Sequence, residues 1–152
     1  MIMKLSIVIP CYNEESTIQE ILSRVTLLNI SPWEKEIIVV DDASTDGTSA
    51  ILDDFKKNNA QKKKNQQIKI ISLNQNSGKG TAVKRGLEEA TGDYIIIQDA
   101  DLEYNPQEIP LFLKSLGKNQ TNLVVYGSRN LHHEKRRGFI FQRLGVWVIT
   151  KM

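Results

Sequence analysis

Short runs of branched and aromatic residues alternate along this chain with stretches of helical period, and that alternation narrows the fold more than any other feature. Residues 5–9, 36–40, 68–73, 94–97 and 123–126 are dominated by Ile, Val, Leu and Tyr, and each run ends at polar or glycine residues. Such runs read as five strands buried on both faces. Between them stand Ile18, Ile21, Leu22 and Val25; Ile51 and Phe55; Val83, Gly86, Leu87 and Ala90; and Ile109, Phe112, Leu113 and Leu116. Three of these four sets follow the i, i+3, i+4, i+7 spacing of a helix with one apolar face. Strands that alternate with helices pair in parallel through crossovers over the sheet. The expected fold class is therefore α/β, a mainly parallel sheet with flanking helices.

Helix starts agree with this register. Asn13 precedes Glu14 and Glu15, Asp46 precedes Gly47 and Thr48, and Asn105 precedes Pro106, which suits a first helical turn. The polar run 58–67, with Lys62, Lys63 and Lys64, reads as a solvated loop. With 152 residues, 40% of them hydrophobic, the chain suits one core, and no internal repeat interrupts it. The expected organisation is a domain over residues 1–138, followed by the start of an apolar helix over residues 139–152. That last stretch is apolar around most of its circumference but broken by Gln142, Arg143 and Lys151, which suits a membrane surface.

Several classes are set aside by composition. A net charge of +2 gives no general pull toward nucleic acid. Cys11 is the only cysteine, so the chain has no internal disulfide and no Cys-based zinc site, in keeping with a reducing cytoplasm. Nowhere do about 18 apolar residues run together, so no segment here spans a bilayer by itself. The first apolar run is too short for a signal-peptide core and reads as a strand.

In open parallel sheets ligands bind beyond the carboxyl ends of the strands. Here those positions gather acidic residues: Glu14; Asp41, Asp42 and Asp46; Asp99, Asp101 and Glu103. Asp99-Ala100-Asp101 is the most informative, because alternate residues of an extended chain face one side, so both carboxylates can meet one ion. Two hard oxygen ligands with open positions suit Mg²⁺ or Mn²⁺ shared with phosphate oxygens, an arrangement that stabilises a diphosphate leaving group. The bland alternative is that one aspartate caps the turn into the Pro106 helix and the other is merely exposed. Asp42 is expected to meet a ribose or base edge, whereas Asp46-Gly47-Thr48 reads as a helix cap.

The run Asn76-Ser77-Gly78-Lys79-Gly80-Thr81 is not a Walker loop, because position 73 is Leu and position 80 is Gly. The three spaced glycines of a dinucleotide fold are absent too, with Pro10-Cys11-Tyr12-Asn13 after the first strand instead. P-loop kinases and nicotinamide oxidoreductases are disfavoured. Gly78 and Gly80 suit a tight turn that opens the third helix, with Lys79 either beside phosphate or simply in solvent.

Taken in order, Ile9-Pro10-Cys11-Tyr12-Asn13-Glu14, Val40-Asp41-Asp42 through Thr48, Asn76-Ser77-Gly78-Lys79-Gly80, Gly92-Asp93-Tyr94, Asp99-Ala100-Asp101-Leu102-Glu103 and Gly127-Ser128-Arg129 resemble glycosyltransferase family two. The nearest branch looks like the dolichyl-phosphate mannose synthases and bacterial polyprenyl-phosphate glycosyltransferases. The resemblance implies a Rossmann-like nucleotide-diphospho-sugar transferase fold of the GT-A type. It implies that Pro10, Tyr12 and Glu14, then Val40 and Asp42, hold the base and ribose of a GDP- or UDP-sugar. It assigns Asp99 and Asp101 to the metal and diphosphate, with Ala100 lining that site, Glu103 reaching the metal in some members, and Arg129 on the donor phosphates. Similar enzymes continue well past the helix expected from Phe139, so the chain is expected to be C-terminally truncated.

An inverting transfer to a sugar hydroxyl needs a base, and after Arg129 only Glu134 offers one. A polyprenyl phosphate needs none, since it is already an anionic nucleophile. Arg129, His132, His133, Lys135, Arg136 and Arg137, then Arg143, supply cations beside an apolar stretch, as a lipid-phosphate acceptor at the cytoplasmic face of a membrane requires. His132 and His133 read as exposed loop residues and not as metal ligands. The rival readings are a non-catalytic nucleotide-sugar-binding module and transfer to a saccharide acceptor. A nucleotidyltransferase shares the acidic residues and the metal, but the motif order does not favour it.

Overall fold

Strands β1 (Lys4–Cys11) and β2 (Glu34–Asp41) lie side by side at the middle of the sheet, and after its first residue each is buried along its length. The computed structural model describes residues 2–59, 66–116, 125–126 and 147–150. The remaining elements are α1 (Ile18–Leu27), α2 (Thr48–Asn59), β3 (Gln66–Ser72), α3 (Lys79–Glu89), β4 (Tyr94–Ile97), a single 3₁₀ turn (Pro106–Glu108), α4 (Ile109–Ser115), β5 (Val125–Tyr126) and β6 (Trp147–Thr150). The sheet order is β3-β2-β1-β4-β6-β5. The first four strands are parallel, with Ile7 opposite Ile37 and Ile96, while β6 runs antiparallel to both β4 and β5.

Period-two alternation divides the core. Leu5, Ile7, Ile9, Ile37, Val39 and Ile96 face one side and pack with Ile18, Ile21, Leu22 and Val25 of α1, Leu52 of α2 and Ile109 of α4. Val8, Ile38, Val40 and Ile95 face the other side, against Ala82 of α3 and the following Ala90. The four buried residues of α1 are those picked out by helical spacing, each worth about 1.5–3 kcal/mol relative to exposure. No side-chain cap bond is made at Thr17, so packing holds this helix more than its cap does. At its other end Lys35, 6% exposed within β2, donates from Nζ to the carbonyls of Val25 (2.7 Å), Thr26 (2.9 Å) and Leu28 (2.8 Å). A cation on the last carbonyls of a helix satisfies its dipole as well as its orphan acceptors.

Some local expectations need correction. Asn13 does not start α1, which begins at Ile18; with φ 55 it sits in the left-handed region, and its Oδ1 accepts the Thr45 N–H at 2.8 Å. The other two helix starts agree with the sequence: Asp46 Oδ1 accepts the Thr48 N–H (2.9 Å), and Asn105 Oδ1 accepts the Gln107 N–H ahead of Pro106. Trp147–Thr150, assigned from sequence to an apolar helix, is instead strand β6. Pairing with β4 satisfies its backbone at a sheet edge that would otherwise stand open. Residues 139–146 and the lysines at 62–64 lie outside the described residues.

Candidate active site

Parallel strands deliver their exit loops to one edge of the sheet, and here those loops are tied to each other. After β1, the Asn13 N–H donates to Ser44 Oγ (3.0 Å), the Glu14 N–H to Thr48 Oγ1 (2.8 Å) and the Glu15 N–H to Asp46 Oδ2 (3.2 Å). In return the Gly47 N–H donates to Glu15 Oε2 at 2.7 Å. The Thr17 hydroxyl holds the Glu14 carboxylate at 2.6 Å. Asp41, 1% exposed, accepts from Ser44 and from Ser49 Oγ (2.6 Å), which makes it a brace of this wall and not a ligand-facing residue.

Asp42 is 2% exposed, and each of its oxygens accepts one backbone N–H: Oδ1 that of Ser77 (2.9 Å) and Oδ2 that of Gly78 (2.7 Å). Gly78 has φ 87, a conformation open to glycine at no steric cost, and α3 starts directly after it. Beyond β4, the buried Gln98 donates from Nε2 to the carbonyls of Asp99 (3.1 Å) and Tyr104 (3.0 Å), closing the loop between them. Inside that loop Asp101 Oδ1 accepts the Glu103 N–H at 3.0 Å, and Leu102 lies at φ 63.

These loops enclose a cavity of about 260 Å³ lined by Pro10, Cys11, Tyr12, Glu14, Asp42, Asn76, Gly78, Lys79, Ala82, Asp99, Ala100 and Asp101. It lies just below the usual ligand-pocket range of roughly 300–1,000 Å³. Tyr12 is 42% exposed at its mouth. Lys79 Nζ stands 2.8 Å from Asp99 Oδ1. Burial first, and then the negative charges of Asp41, Glu14, Asp46 and Asp42, push the Cys11 thiol far above its ordinary range, so it lines the cavity as an unreactive S–H. That thiol donates to the Val40 carbonyl.

Of the residues singled out from sequence, Pro10, Tyr12, Glu14, Asp42, Asp99, Ala100 and Asp101 come together here. Val40 does not: it is fully buried against α3, on the face that Val8 shares. Glu103 is exposed and lies off the cavity lining. Among the described residues no three His, Cys, Asp or Glu side chains gather as a metal cage. Arg129, His132, His133, Glu134 and the cations at 135–137 lie outside the described residues. Sequence reasoning did not assign Cys11, Asn76 or Ala82 to the lining; Cys11 could have been found from its place beside Pro10 at the end of β1.

The model of the family described as Glycosyl transferase family 2 matches residues 6–143. A dolichol-phosphate mannosyltransferase from Pyrococcus furiosus is 34% identical over 93% of this chain and 37% of its own length. An undecaprenyl-phosphate 4-deoxy-4-formamido-L-arabinose transferase from an Enterobacter species is 37% identical over 93% of this chain and 42% of its own. The chain thus spans 29–42% of the length of such curated relatives. Among solved structures, a mannosyltransferase from Pyrobaculum calidifontis in complex with GDP-Man and Mn²⁺ superposes with a TM-score of 0.58 at 25% identity, covering 71% of this chain and 30% of that one.

Proposed function

The chain belongs to glycosyl transferase family 2, and from that premise we propose that its cavity binds a nucleotide-diphosphate sugar for inverting transfer of the sugar to a polyprenyl phosphate. One observation carries this reading: the exits of β1, β2 and β4 bring Pro10, Tyr12, Glu14, Asp42, Asp99, Ala100 and Asp101 to one cavity at the carboxyl edge of the sheet. Tyr12, half in solvent at the mouth, offers a ring to the base, and Glu14 and Asp42 offer acceptors to a ribose or base edge.

Two cavity-lining carboxylates, Asp99 and Asp101, are a fitting donor set for Mg²⁺ or Mn²⁺, which are commonly held by one or two carboxylates while phosphate and water supply the other ligands. A closed cage of three protein ligands is not needed for such an ion. Bound there, it would neutralise the departing nucleoside diphosphate. The protein's own part is to fix the donor: the loop clamped by Gln98 holds both aspartates toward the cavity, and the turn pinned by Asp42 sets the opposite wall. A lipid phosphate attacks as an anion, so no base is required of the chain, and the relatives named for dolichol and undecaprenyl phosphate support this acceptor class. Arg129 and the cations at 135–137 are assigned to the donor and acceptor phosphates. The domain is taken as residues 1–138. Contact with the acceptor is proposed to be peripheral, at the cytoplasmic face of a membrane, through those cations. Among the described residues no helix is long and apolar enough to cross a membrane.

The test is incubation of the protein with Mn²⁺, radiolabelled GDP- or UDP-sugars and polyprenyl phosphate. Lipid-linked product is expected. Metal-dependent nucleotide binding without product would replace this reading with that of a binding module, and product on a saccharide alone would reassign the acceptor.

A further inference from the structure

Four carboxylates line the cavity, those of Glu14, Asp42, Asp99 and Asp101, and Lys79 is the one basic side chain lining it among the described residues. Its position is unfavourable on local grounds. Lys79 is the first residue of α3, where the helix dipole repels a cation. What compensates is Asp99, whose Oδ1 lies 2.8 Å from Nζ. The lysine side chain is 61% exposed and the aspartate 19%, so the lysine reaches the pair from solvent while the carboxylate is largely withdrawn from it. An ion pair this open is weak and readily exchanged.

Resting on the donor site proposed above, we propose that Lys79 is an exchangeable counter-cation: it holds Asp99 before the donor arrives, and it moves to the donor's phosphates when a divalent cation takes Asp99. Both ends of the exchange are charge-matched. A divalent ion outcompetes a monovalent ammonium for the carboxylate, and the released ammonium is left beside a diphosphate with three donors to offer. Because Lys79 competes with the metal for Asp99 but cooperates with the nucleotide, the exchange also disfavours loading of metal alone relative to metal with nucleotide. A lysine that only stabilised the loop would not produce this opposition of signs.

The experiment compares the 152-residue chain with Lys79→Gln and Lys79→Arg in two titrations: Mn²⁺ alone, read by the electron paramagnetic resonance of free Mn²⁺, and GDP or UDP at saturating Mn²⁺, read by calorimetry. Lys79→Gln is expected to bind Mn²⁺ alone about two- to fivefold more tightly, as removal of a weak competing pair allows. The same variant should bind the nucleoside diphosphate about tenfold more weakly, as loss of a charged phosphate contact implies. Lys79→Arg should stay near wild type in both. A Lys79→Gln variant that matches wild type in either titration, with circular dichroism showing it folded, overturns the exchange while leaving the donor site standing. A wild-type chain that binds neither nucleotide with Mn²⁺ overturns the donor site, and the role of Lys79 with it.

Discussion

Asp42 Oδ2 accepts the Gly78 N–H at 2.7 Å, and by that bond the end of β2 fixes the left-handed turn that opens α3. The same carboxylate takes the Ser77 N–H on its other oxygen, so one side chain sets two donors of the cavity wall. An asparagine keeps only one acceptor oxygen and turns an NH₂ toward the second N–H. Asp42→Asn should therefore lose about 1–3 kcal/mol of stability, the cost of a buried donor left without a partner, together with donor affinity. Urea midpoints and nucleotide titrations at fixed Mn²⁺ check both. Full stability with lost binding would show that Asp42 serves the ligand and not the turn.

Most of the parallel half of the sheet was legible because β1, β2 and β4 are buried along most of their length and write themselves as largely apolar runs, as in residues 7–9 and 37–40. The end of the chain was not. Trp147–Thr150 is a four-residue apolar stretch inside a longer apolar segment, and periodicity alone does not separate strand from helix over that length. Its state is decided by the backbone of β4, about fifty residues earlier in the chain. The acidic site residues were legible for a positional reason, since each stands in the loop that leaves a strand. Val40 was placed by resemblance, but strand alternation turns it toward α3. Lys35 beneath α1 and Lys79 on Asp99 depend on contacts across the fold that no local pattern encodes.

Asp101 lines the cavity yet is exposed, and its Oδ1 closes a short turn by accepting the Glu103 N–H. An amide preserves that acceptor while removing the charge a divalent ion needs. Asp101→Asn should abolish Mn²⁺-dependent nucleotide binding and change stability by no more than about 0.5 kcal/mol, as a surface substitution does. Thermal melts with and without Mn²⁺ and nucleotide supply the readout. Unchanged nucleotide affinity removes the metal assignment.

Gly86 lets α3 approach the sheet: a Cβ there would collide with Val8 Cγ1 and lie 3.4 Å from Val40 Cγ2. Gly86→Ala gains about 1 kcal/mol of helix propensity, but pushing the helix off two central strands costs typically 1–3 kcal/mol. The packing effect should win, lowering the melting temperature by a few degrees. Gly80 is the matched control, since a Cβ there meets nothing within 4 Å. Gly80→Ala should be neutral or slightly stabilising. Equal melting of the two variants would mean that α3 is not held by close contact at Gly86.

Glu36, fully buried near the amino end of β2, sits at the opposite end of the strand from the cavity. Burial alone would raise its pKa, but donation from Ser6 Oγ (2.6 Å), the Thr91 N–H (2.8 Å) and Thr91 Oγ1 (3.0 Å), with the charge of Lys4, brings it from 4.5 down to about 2. Lys69 Nζ adds a second cation at 3.3 Å. The unfolded chain therefore takes up this proton before the folded one does. The stability it contributes is complete above about pH 4.5 and is lost as pH falls toward about 2. Glu36→Gln should be less stable than wild type near pH 7 by about 1–3 kcal/mol, and the gap should narrow between about pH 5 and pH 3 as the wild type alone loses the contribution. Chemical denaturation across that range measures the gap. If the two stability curves ran parallel, the carboxylate would not be ionised within its network, and the depressed pKa would be wrong. Nucleotide affinity near pH 7 should be the same in both proteins, because no residue of this network lines the cavity.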